Sequence, residues 1–156
     1  MKKIMFAVMM MVMAGLLTAC GAQKTQLAIG QELVREGDCA GAEEYLDVTI
    51  AQPQTASELG LAYFLKGKCA EKSGDYASAY ENYYAAKLLA CYVVSHDTEV
   101  NLNTYARSEY CERIIPEMLE NLAPKVGDAA AVERIEAKVN GIMTDMYMQR
   151  FEKRLE

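Results

Sequence analysis

The feature that most constrains this chain is a pattern of small residues that occurs twice, 37 positions apart. In each copy a glycine lies seven positions before a Gly-Asp pair, and an alanine lies four positions after it. The matched positions are Gly30, Gly37-Asp38 and Ala42, then Gly67, Gly74-Asp75 and Ala79. Glycine adopts a positive φ readily, so the pairs predict turns at helix ends. The other small residues predict places where two helices cross closely.

The residues around both turns have helical spacing. In the second copy the large and small apolar residues recur every three or four positions, at Tyr76, Ala79, Tyr80, Tyr83, Ala86 and Leu89. Such spacing favours amphipathic helices over strands. Pro53 is expected to end the helix that precedes it, because proline cannot continue the backbone hydrogen-bond ladder. The sequence therefore predicts an all-α fold that begins with two helical hairpins.

The last third of the chain departs from this register. A polar segment at 95–99 separates it from the second copy, and a helical pattern then covers 100–122. Pro116 lies inside that pattern, so a kink or a restart is expected there. Pro124 and Gly127-Asp128 are expected to separate it from a final helix at 129–154. These elements predict a third hairpin.

The N-terminus has the composition of an export signal. Lys2 and Lys3 precede an apolar run at 4–17, which is shorter than a membrane span and typical of a signal peptide. The following Leu17-Thr18-Ala19-Cys20 resembles the lipobox of bacterial lipoproteins. The resemblance implies cleavage after residues 1–19, diacylglycerol on the Cys20 sulfur and a third acyl chain on the new N-terminus. Two or more chains anchor a protein stably. The alternative is an ordinary secretory signal cut near Ala19 or Ala22.

The lipoprotein resemblance also implies a location in the bacterial envelope. Gly21 stands where aspartate favours the inner membrane in enteric-type bacteria, so an outer-membrane anchor facing the periplasm is expected. Residues 20–24 would form a short lipidated tether. Removing 19 of the 156 residues leaves 137, and loss of Lys2 and Lys3 changes the net charge from −6 to −8. A chain this acidic repels phosphate backbones, so nucleic acid is not an expected partner.

Residues 23–93 resemble the tetratricopeptide (TPR) repeat, a 34-residue helix-turn-helix unit. The best match is Tyr63, Gly67, Gly74, Tyr76, Ala79, Tyr83 and Ala86. The first copy departs from the pattern, because Cys39 occupies the position of the turn tyrosine and Thr49 occupies the position of the second alanine. The resemblance implies two TPR-like repeats at 25–93. Residues 94–156 would form a degenerate third hairpin with a capping helix, giving a short right-handed solenoid.

Four cysteines remain besides Cys20, and an even number in an exported domain favours disulfides. From the residues alone, three connectivities are open. The TPR resemblance implies antiparallel neighbouring helices, which pair Cys39 with Cys69 and Cys91 with Cys111. The alternative is that these cysteines are buried small apolar residues. No CxxC motif occurs and His96 is the one histidine, so neither a metal site nor a cofactor is expected.

No catalytic motif stands out, and His96 lacks an orienting partner in sequence, so we expect no enzyme activity. The TPR resemblance implies binding of a partner protein or peptide on the concave face, formed mainly by first helices. Candidate contacts there are Glu58, Leu61, Ala62, Leu65 and Lys66. Tyr84, one position off the core face, is a further candidate. The alternatives are a structural lipoprotein that homo-oligomerises through its C-terminal helix and an accessory subunit of an envelope assembly or secretion complex.

Overall fold

The structure, a computed structural model, describes residues 24–96 and 102–148, and these residues form six helices. The predicted leader, Cys20, most of the tether and residues 149–156 lie outside these ranges. No strand occurs within them, which confirms the all-α prediction. The helices are α1 (Gln26–Glu36), α2 (Cys39–Ala51), α3 (Ala56–Ser73), α4 (Tyr76–His96), α5 (Leu102–Glu109, a π-helical turn Tyr110–Ile114, then Ile115–Val126) and α6 (Ala129–Ile142, then a π-helical turn Met143–Met148).

Each Gly-Asp pair ends one helix and begins the next. Gly37 and Gly74 have positive φ angles of 90° and 83°, which close the ends of α1 and α3 in the left-handed conformation. Asp38, Asp75 and Asp128 then accept a hydrogen bond from the backbone N–H three residues on, at 2.8–3.0 Å. This is the N-cap role of aspartate. Each pair therefore makes a two-residue turn between antiparallel helices.

The repeated glycines lie where helices cross. A Cβ atom at Gly67 would lie 2.6 Å from Cδ1 of the buried Tyr83, and one at Gly30 would lie 2.9 Å from Cδ2 of the buried Leu46. In both copies a glycine of the first helix therefore meets a large side chain of the second. The predicted close crossings are confirmed.

The prolines act in two ways. Helix α2 ends at Ala51, two residues before Pro53, as expected. At Pro116 the chain stays helical, with the proline in the first turn of Ile115–Val126, directly after the π-helical turn. The helix also continues through Pro124, which was expected to interrupt it. Proline removes an N–H donor and crowds the preceding turn. The turn before Pro116 widens to π geometry, in which the Ile115 N–H donates to the Tyr110 carbonyl five residues earlier.

Helix α4 is the centre of the packing, because it contacts α3, α5 and α6. Ala79, Tyr83 and Ala86 of α4 pack on α5, in a cluster completed by Tyr80, Ile115, Leu119 and Leu122. On another side, α6 packs across α3 and α4, in a cluster of Ala56, Leu59, Ala85, Leu89, Val139, Met143 and Tyr147. Helices α5 and α6 contact each other less than either contacts α4. Within the described ranges, every helix is too short or too polar to cross a bilayer.

Candidate functional site

An apolar groove lies between α3 and α5, with α4 as its floor. Its volume is about 210 Å³. The lining residues are Ala56, Ser57, Gly60, Leu61, Phe64, Ala86, Leu89, Ala90, Val93, Arg107, Tyr110 and Ile115. Pockets that hold drug-sized ligands are larger, roughly 300–1,000 Å³. The groove therefore has the size for one or two apolar side chains of a partner.

Small residues produce the depth of the groove. Gly60 lies over α4, where a Cβ atom would be 3.2 Å from the Leu89 Cβ. Ala86 and Ala90 of α4 leave space beside it. Gly60 has no counterpart in the first copy, because position 23 is glutamine. The groove is therefore particular to the second hairpin and is not a product of the repeat.

Aromatic rings form one wall of the groove. Phe64 packs edge-on against Tyr110, with ring centroids 5.6 Å apart, and against Tyr83 at 5.5 Å. Tyr110 is 41% exposed, so its ring faces both the groove and solvent. The π-helical turn before Pro116 carries Tyr110 and Cys111. The geometry of this wall thus depends on that turn.

Both predicted cysteine pairs lie at disulfide distance. The Cα atoms of Cys39 and Cys69 are 5.5 Å apart, and those of Cys91 and Cys111 are 4.9 Å apart. The first pair joins α2 to α3, and the second joins α4 to the π-helical turn of α5. Because Cys111 follows Tyr110, the second pair fixes the aromatic wall against the floor of the groove.

The predicted contact residues of α3 point in several directions, because they span more than two turns of the helix. Leu61 lines the groove. Ala62 is fully buried and Leu65 is 6% exposed, and both pack against Ala42 and Leu46 of α2. These two belong to the core, so neither offers a surface to a partner.

The other two predicted α3 residues make contacts within the chain. The Glu58 carboxylate accepts a hydrogen bond from the Gln54 N–H at 3.1 Å, and the Glu58 N–H donates to Thr55 Oγ1. These contacts cap the start of α3. Lys66 forms an ion pair with Asp47 of α2 on the opposite side of α3 from Leu61.

Tyr84, predicted as a partner contact, lies against α6 of the same chain. Its hydroxyl is within hydrogen-bond distance of the Asn140 amide, and its ring stacks on Tyr80 at 6.4 Å. Lys138 of α6 pairs with Glu81 nearby at 2.7 Å. Tyr84 is half-buried, and its contacts join α4 to α6.

Buried tyrosines fix the helices around the groove. Burial raises the pKa of Tyr83, and its hydroxyl donates to the Glu71 carboxylate at 2.9 Å. Burial likewise raises the pKa of Tyr80, which donates to Glu136 of α6 at 2.6 Å. Both hydroxyls therefore stay protonated as donors, and they tie α4 to α3 and to α6.

Sequence reasoning missed Phe64, Val93 and Tyr110 as groove residues. The available signal was Gly60, a helical glycine outside the repeat register. His96, the other residue considered for chemistry, stacks on Tyr92 at 4.1 Å, and its Nδ1 lies 2.9 Å from the Tyr92 carbonyl. Among the described residues, no group of three or more His, Cys, Asp or Glu side chains could hold a metal ion.

Comparison with protein-family models, with curated proteins and with solved structures finds no match to this chain.

Proposed function

We propose that this chain is a lipid-anchored protein of the bacterial envelope that binds a partner protein or peptide through the groove between α3 and α5, and that it is not an enzyme. The observation that best supports this proposal is the groove itself. It is apolar, partly aromatic and open, with small residues at its floor. Protein interfaces concentrate their binding energy in such pockets, where one or two large side chains become fully desolvated.

The arrangement of the helices supports a TPR-like scaffold. Successive helices from α1 to α5 contact in chain order, and α1 also contacts α3. A short right-handed solenoid of three hairpins requires such contacts between neighbours. In that arrangement α3 and α5 are the first helices of the second and third hairpins. The groove then lies on the face where TPR-like proteins bind their partners.

The location follows from the sequence. Cys20 in a lipobox supports acylation, and Gly21 supports an outer-membrane anchor that faces the periplasm. Homo-oligomerisation through α6 is the weaker alternative, because Val139, Met143 and Tyr147 of that helix are already buried in the chain's own core. A role as an accessory subunit is one form of partner binding.

Co-purification with matched variants tests the proposal. Leu61→Glu places a charge in the groove, whereas Val48→Glu places one on α2 at a hydrophobic residue that is 42% exposed outside the groove. A partner isolated with the wild-type protein from detergent-solubilised envelopes should be retained by Val48→Glu. Leu61→Glu should lose it, at a cost of about 2 kcal/mol or more. Equal recovery by two folded variants would contradict a groove-centred function.

A further inference from the structure

Neighbouring helices run antiparallel, so several helix ends lie together at one end of the array, and the described part of the chain begins at this same end. Helix α1 begins at Gln26, near where α2 ends, and Tyr147 of α6 donates to the carbonyl of Ile50 in α2 at 3.2 Å. Helix α4 ends at His96, and α5 begins at Leu102. All three Gly-Asp turns lie at the other end. We call the first end, formed by Thr25, Pro53, His96 and Leu102, the anchor end.

Two exposed hydrophobic side chains lie on α5 at the anchor end. Leu102 is 87% exposed and Tyr105 is 67% exposed, more than any other large hydrophobic residue in the described part of the chain. Thr104 between them is buried, so the opposite face of α5 is fixed against the fold. Leu102 and Tyr105 therefore form an apolar edge that would gain free energy on leaving water.

The chain before α1 limits how far this edge can lie from a bilayer. Four residues separate Cys20 from Thr25, and the five residue steps between them span at most about 18 Å when the segment is fully extended. An acylated Cys20 would hold the anchor end within this distance of the lipid. Tyrosine suits the boundary between headgroups and acyl chains, because its ring is apolar and its hydroxyl is polar.

We propose that the anchor end rests on the bilayer, with Leu102 and Tyr105 inserted at the level of the lipid headgroups. This inference rests on the lipid attachment in the proposed function. The groove is lined by Ser57, Val93 and Arg107 from the same end of the array. The contact would therefore hold the groove beside the membrane surface. After removal of residues 1–19 the net charge would change from −6 to −8, which disfavours attraction to anionic lipids, so burial of the two side chains supplies the contact.

The chain contains no tryptophan, so a single introduced one reports its own surroundings. Tyr105→Trp places the probe on the edge. Ala77→Trp places it at an exposed site beside the Gly74-Asp75 turn, at the far end. Each protein, produced in bacteria with its full N-terminal sequence, is reconstituted into phosphatidylcholine vesicles, with or without bromine on the acyl chains. Emission from position 105 should shift to shorter wavelength and lose intensity with brominated lipid, and emission from position 77 should do neither.

Flotation with the vesicles is measured first, because it separates the two claims. A chain that does not float contradicts the lipid attachment. A chain that floats, but whose tryptophan at position 105 is quenched no more than the one at position 77, overturns the inference and leaves the lipid attachment intact. Adding Leu102→Ser to Tyr105→Trp should weaken the quenching, and unchanged quenching would remove Leu102 from the contact.

Discussion

The crossing of α3 and α4 gives the sharpest test of the fold, through Gly67→Ala. The added Cβ would lie 2.6 Å from Cδ1 and 2.7 Å from Cε1 of Tyr83. That ring cannot move aside easily, because it is fully buried, packs on Phe64 and donates to Glu71 through its hydroxyl. The substitution must therefore push the two helices apart.

Two opposing effects set the magnitude. Replacing a helical glycine with alanine stabilises by roughly 1 kcal/mol through helix propensity. Overpacking a buried contact costs about 1–3 kcal/mol. Gly141→Ala on α6 is the matched control, because nothing lies within 4 Å of its added Cβ. The difference in unfolding free energy between the two variants should therefore be about 1–3 kcal/mol.

Urea denaturation followed by far-UV circular dichroism measures this difference. Gly141→Ala should raise the midpoint, and Gly67→Ala should fall well below it. In a Tyr83→Leu background the penalty of Gly67→Ala should shrink, because the opposing ring is gone. Equal effects of the two alanines on the wild-type background would show that α3 and α4 do not cross at Gly67.

Three further predictions concern pH, disulfides and location. Burial raises the pKa of Tyr63, Tyr80 and Tyr83 above the ordinary 10.0, so these tyrosines ionise at lower pH in the unfolded chain than in the folded one. The free energy of unfolding, measured by urea titration, should therefore fall as the pH rises above about 10. A flat profile in this pH range would contradict the burial of these phenols. Each disulfide closes a loop of 20 or 30 residues and should stabilise the fold by about 3–4 kcal/mol on the chain-entropy model. Mass spectrometry of an unreduced digest should show Cys39 linked to Cys69 and Cys91 to Cys111, and free thiols at these positions would refute the pairing. Cys20→Ala should release the protein from membranes in cell fractionation, whereas full retention would refute acylation at that residue.

The sequence predicts the local features of this fold well. The Gly-Asp pairs identify the turns because each residue has a local preference: glycine for a positive φ, and aspartate for the start of a helix. The expected cysteine pairs lie at disulfide distance, because antiparallel neighbours bring the end of one helix beside the start of the next. These features depend on residues close in sequence or on adjacent helices.

The groove was harder to predict, because it depends on how α5 sits against α3 across α4. Tyr110 reaches the groove from a π-helical turn, and the sequence showed only that Pro116 should disturb that helix. Tyr84 was predicted as a partner contact, and the sequence did not show that α6 packs against it. Helical periodicity indicates which face of a helix is apolar, and it does not indicate which distant helix covers that face.

Photo-crosslinking in living cells tests the central claim most directly. A photoreactive amino acid at Leu61 lies in the groove, and one at Val48 lies on an exposed face of α2. We expect an adduct with another envelope protein from position 61, none from position 48, and loss of the adduct when Ala90→Phe fills the groove. Equal adducts from both positions, or an adduct that persists with Ala90→Phe, would contradict partner binding in the groove between α3 and α5.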